Sequence, residues 1–119
     1  MAAIKIFTVS YGGCRIKVRV LKTVMDVHRE YTSGSSRRSS GKFVHAFFAP
    51  TNHVAAKHIG TIVLPIDGPL DELIPHEVTH AVMHKIGGVH RTDDEVLATT
   101  VGVLSARITR KLRREVGTL

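Results

Sequence analysis

The hydrophobic period changes along this chain, and that change constrains the fold more than any single motif does. Residues 15–20 alternate strictly, with Arg15, Lys17 and Arg19 on one side and Ile16, Val18 and Val20 on the other. A period of two marks a strand with one buried face. Farther on, Leu97, Val101, Leu104, Ile108 and Leu112 recur at spacings of four, three, four and four. That is the period of a helix with one apolar stripe. Strand-type patterning before helix-type patterning predicts an α+β fold.

The remaining elements follow from composition and punctuation. Residues 4–10 are apolar and β-branched, and Gly12-Gly13 supplies a turn, so the first two strands should form a hairpin. Val24, Val27, His28 and Tyr31 return at helical spacing and predict a short helix over 22–31. Residues 43–49 read as a third strand ended by Pro50, and 59–64 as a fourth stopped by Pro65 and the Asp67-Gly68 turn. Between the short helix and the third strand, residues 32–41 (TSGSSRRSSG) form a linker too short to separate two domains. One domain over 1–119 is expected, with about four strands in a small mixed or antiparallel sheet. A helix should begin with Pro75 at its first position and stop at Gly87-Gly88. A longer one should run from Thr92 or Asp93 to about Glu115.

Composition limits the function. Apolar residues make up 43% of the chain and Trp is absent, so the core must rest on Val, Ile, Leu and Ala. No apolar run approaches the ~20 residues of a membrane-spanning helix. The N-terminus has no leader pattern, and Cys14 is the only cysteine, which excludes an internal disulfide. A cytoplasmic protein with no membrane partner is expected. The formal charge is +7, and Arg107, Arg110, Lys111, Arg113 and Arg114 crowd the C-terminus while Arg37, Arg38 and Lys42 lie in and just after the Ser/Gly-rich linker. Such an excess can draw nucleic acid. Cations also favour a helix C-terminus for its own sake, and no aromatic residues interleave with them. Nucleic acid is therefore not the favoured partner on sequence grounds.

His76-Glu77-Val78-Thr79-His80 carries the chemistry. Residues four apart share a helical face, so His76 and His80 can reach one Zn²⁺ at ~2.0–2.1 Å. Glu77 is rotated about 100° from His76, where it can accept a proton from water without ligating the metal. A catalytic zinc needs a third ligand. His84, His90, Asp93, Asp94 and Glu95 are the candidates downstream. His84 shares the helical face but stands about 12 Å along the axis from His76. His90 lies in the loop after the two glycines. Glu95 shares a helix side with the small residues Ala98 and Gly102, the side expected to approach the motif helix closely. The competing role for Glu95 is a capping box with Thr92. Glu95 is favoured, with Asp94 in reserve.

IGTIVL, IPHEVTHAVMHKIGG and DDEVLATTVGVL, within residues 59–106, together resemble the core of compact zincins. The likeness is to the ImmA/IrrE-type peptidases and the small metallopeptidases of bacteriophages. There, a strand precedes the HExxH helix and a later helix supplies a glutamate in a Glu-x-x-Ala context, matched here by Glu95-Val96-Leu97-Ala98. The resemblance implies a minimal zincin-like fold, zinc ligands His76, His80 and Glu95, and Glu77 as catalytic base. It also implies a peptide substrate laid along the edge of the strand at 60–64, in the host cytoplasm if the chain is phage-encoded. The extended metzincin pattern is excluded, because Met83 and Ile86 occupy its Gly and third-His positions. For the oxyanion, His84, His90 and Arg91 are candidates, whereas His45, His53 and His58 read as surface or core-edge residues. The alternative function is a zinc-stapled binding or inhibitory protein, since small domains gain stability from metals.

Overall fold

The computed structural model describes residues 3–33, 43–51, 58–86 and 94–117. The elements along the chain are β1 (Lys5–Tyr11), β2 (Cys14–Leu21), α1 (Val24–Ser33), β3 (Phe47–Pro50), β4 (Gly60–Pro65), α2 (Leu70–Ile86) and α3 (Asp94–Glu115). The fold is α+β, with a four-stranded mixed sheet and a long C-terminal helix.

β1 and β2 pair antiparallel from Lys5↔Val20 to Tyr11↔Cys14. Gly12 and Gly13 close the hairpin with φ of 58° and 80°. Two successive positive φ angles define a type I′ turn, whose twist matches that of paired strands and which glycine adopts without strain. The chain then crosses through α1 and the sheet continues parallel, β2 beside β4. β3 pairs antiparallel with β4 on its other side, giving the order β1-β2-β4-β3.

Side-chain alternation sorts the two faces. Phe7, Val9, Ile16, Val18, Val20, Ile62 and Leu64 point to one side and bury against α2 and α3. Leu21, Phe47 and Val63 point to the other and meet Val27 of α1. Helices thus cover the sheet on both faces. The predicted stripe of α3 is the one that packs: Leu104, Ile108 and Leu112 are fully buried, and Leu97 and Val101 lie against the same core.

Three expectations need correction. α2 begins more than a turn before Pro75, which lies inside the helix. Pro69 is the proline that starts it: its carbonyl accepts the N–H groups of Glu72 and Leu73, both at 3.0 Å. Asp71 and Glu72 then stand in the first turn, where the helix dipole favours acids. Leu70 and Ile74 anchor this turn in the core, so packing outweighs the hydrogen bond Pro75 cannot donate. Pro75 is exposed, which leaves the orphaned Asp71 carbonyl near solvent.

Secondly, β4 is not an edge. It is paired on both sides, and among the described residues the outermost strands are β1 and β3. Thirdly, the small-residue side of α3 does not approach α2. Ala98 and Gly102 are exposed, and a Cβ built on Gly102 would meet nothing within 4 Å. Large apolar side chains outcompete the close-approach stripe because they bury more surface. The stop at Gly87-Gly88, the 34–41 part of the linker and Thr92 lie outside the described residues.

One glycine is set by close contact. A Cβ on Gly60 would lie 2.5 Å from the Phe48 ring and 2.6 Å from the carbonyl oxygen of Ala49. Backbone cannot yield as a side chain can. Gly60→Ala is therefore expected to destabilise the protein by about 1–3 kcal/mol, as overpacking does, measured as a lower midpoint in urea unfolding.

Candidate metal centre

α2 presents the motif histidines on its outer face, one turn apart. His76 Nε2 and His80 Nε2 are 3.2 Å from each other, and their rings meet nearly edge-on at 79°. Two nitrogens at 3.2 Å can both reach an ion ~2.05 Å away, subtending about 100°, close to the tetrahedral angle. In the metal-free protein one ring must hold a proton on this nitrogen and the other accept it. Either tautomer leaves a ligand pair facing solvent, and the His76 side chain is 66% exposed.

Glu77 contrasts with its neighbours. It is 5% exposed and its carboxylate is 3.9 Å from His76 Nε2. Burial raises its pKa above the usual 4.5, with His76 and then His80 pulling the other way. Apolar packing explains the burial. Glu77 is flanked in the helix by Ile74, Val78 and Ala81, all in the core.

A cleft of about 640 Å³ opens beside these three residues. Its second wall is β3, through Phe47, Phe48 and Pro50, and Tyr31 of α1 joins that wall. Tyr31 meets Phe47 edge-on at 5.2 Å between ring centroids. His84 also lines the cleft, tilted against Phe48 at 5.8 Å. Sequence reasoning missed β3 as this wall. No local signal marked it, because Pro50 ends β3 but Pro65 likewise ends the central β4.

Glu95 is not brought to the pair. It is exposed on the first turn of α3 and lines a different cavity, with Tyr11, Gly12 and Thr99. The helix geometry accounts for this. Val82 and Lys85 of α2 share a small cavity with Val96 and Leu97 of α3, so α3 begins on the side of α2 turned away from the histidines. Asp94 is likewise exposed there. Among the described residues, no three His, Cys, Asp or Glu side chains gather where they could hold a metal. His90, Arg91, Asp93 and His53 lie outside the described residues. His45 is exposed and packs edge-on against Phe43 at 5.0 Å, and His58 is half-buried. The donor set therefore fits a divalent ion through two imidazoles, and the expected carboxylate is not beside them.

Comparisons with known protein families, with curated proteins and with solved structures give no match for this chain. Among the described residues, no helix is long and apolar enough to cross a membrane.

Proposed function

We propose that the chain is a zinc-dependent metallopeptidase, acting on an extended peptide held between α2 and β3. The observation that carries this reading is the placement of a buried carboxylate beside two ring nitrogens 3.2 Å apart, at the wall of an open cleft. His76 and His80 would hold the ion. A bound Zn²⁺ supplies Lewis-acid polarisation and acidifies its water to near neutral pH. Glu77 takes the proton from the attacking water and can return it to the leaving amine. Its apolar surroundings keep the carboxylate from being solvated away, which strengthens it as a base.

The outermost position of β3 among the described strands supports the peptide part of the proposal. An outermost strand is where an extended segment can add to a sheet through its backbone N–H and C=O groups, while side-chain pockets alongside select its residues. Phe48, Phe47 and Tyr31 make those pockets apolar and aromatic. His84 is the described residue best placed to donate a hydrogen bond to a developing oxyanion.

Metal analysis tests the centre. His76→Ala/His80→Ala should retain no stoichiometric zinc. Glu95→Ala should retain it fully, given the position of Glu95 at the Tyr11 cavity; zinc loss in that variant would mean that α3 moves to the metal on binding. A chelator should remove zinc and activity yet leave the far-ultraviolet circular dichroism unchanged, because neither histidine belongs to either core cluster. Unfolding on chelation would favour the zinc-stapled binding protein instead.

A further inference from the structure

The sheet edge opposite the cleft carries a second constellation. Arg107, Arg110, Lys111 and Arg114 of α3 line a groove of about 410 Å³ together with Thr8 and Ser10 of β1. Positions 107, 110, 111 and 114 fall on one helical face, so the cations form a stripe ~10.5 Å long. The strand side is equally suited to anions. In a two-residue hairpin the closing pair, here Tyr11 and Cys14, is hydrogen-bonded, and alternate residues then turn their backbone groups outward. Ser10 obeys this rule, since its carbonyl accepts a hydrogen bond from Arg107.

Cations also flank β1 from the other face. Lys17 lies directly across from Thr8, and Arg15 across from Ser10. One acid, Glu115, sits among them, shared between Lys5 at 3.1 Å and Lys111 at 3.4 Å. Arg107 is committed to Ser10 and to the face of Tyr11, 5.3 Å from the ring centroid. Arg110 and Arg114 are exposed and have no acidic partner among the described residues.

We infer that this groove is a phosphodiester-binding site for duplex nucleic acid, separate from the peptidase cleft. The stripe length matches about three phosphate rises of 3.4 Å along one strand. No aromatic ring lines the groove, and the nearby Tyr11 face is covered by Arg107, so stacked single-stranded bases have no platform. A protein partner would need buried apolar or aromatic anchors. Val9 is the apolar residue lining the groove, and it is already 95% withdrawn into the core at 5% exposure. Contacts to phosphates carry no sequence information, so the site binds without base preference.

The test is fluorescence anisotropy with a labelled 20-base-pair duplex across a salt series. Phosphate contacts by the two uncommitted cations, Arg110 and Arg114, predict a slope of about −1.8 in log K against log salt, or about a tenfold loss of affinity between 50 and 200 mM. Arg110→Ala/Arg114→Ala, both on exposed positions, should flatten the slope by about two while circular dichroism shows an intact fold. His76→Ala/His80→Ala should bind duplex as the wild type does. No duplex binding at 50 mM salt overturns the inference. So does an unaltered slope in the double arginine variant, or tighter binding of a polyglutamate peptide of equal charge.

Discussion

Glu77→Gln is expected to bind zinc with wild-type stoichiometry and to cleave peptides about 10²–10⁴ times more slowly, the usual contribution of a positioned general base. The amide occupies nearly the same volume, so the helix and the two imidazoles should be undisturbed. Single-turnover assays on a peptide library, beside metal analysis of the same preparation, would check both halves. Undiminished cleavage by this variant would end the peptidase proposal. A second reading comes from the metal-free protein. Glu77 has a folded-state pKa raised above the ordinary 4.5 by burial. Its contribution to stability is therefore intact below about pH 4.5 and is lost as pH rises through the folded-state value. Glu77→Gln abolishes that ionisation, so the metal-free variant should melt above the wild type at neutral pH. The gap should close as pH falls below 4.5.

The second large effect concerns α3. Leu104 is fully buried, and Leu104→Ala should lose about 2–5 kcal/mol through lost burial and the cavity left behind. Two residues earlier, Gly102→Ala should go the other way. A Cβ there meets nothing within 4 Å, and replacing glycine inside a helix by alanine typically adds about 0.5–1 kcal/mol. Urea unfolding of the two variants reads out which face of α3 points inward. If Gly102→Ala were strongly destabilising, the small-residue side would be the packed one, and Glu95 would turn towards the motif helix.

That contrast shows where sequence pattern was sufficient and where it was not. Strict alternation over residues 15–20 correctly assigned Ile16, Val18 and Val20 to the core and Arg15 to solvent, because a strand has two faces and one was wholly apolar. The α3 stripe was legible for the same reason, as was the Gly12-Gly13 hairpin. Which proline starts α2 was not legible locally. Pro69 and Pro75 both suit a first turn, and the decision belongs to Leu70 and Ile74, whose burial depends on the sheet beneath them. The neighbours of β4 were equally hidden. Strand order is a non-local property, and only the crossover through α1 makes room for β4 between β2 and β3. At the candidate centre, the spacing of His76 and His80 fixed their juxtaposition within one helix turn. The position of Glu95 relative to them depended on how two helices dock, which no spacing encodes.

β3 is four residues long and ends in Pro50. The outermost strand of a sheet ordinarily invites other chains to stack on it and grow into fibrils. Here the strand is too brief to template such growth, and proline cannot donate the next bond. Of the two outermost strands, β3 is thus the one whose dimensions discourage copies of the same chain from stacking on it.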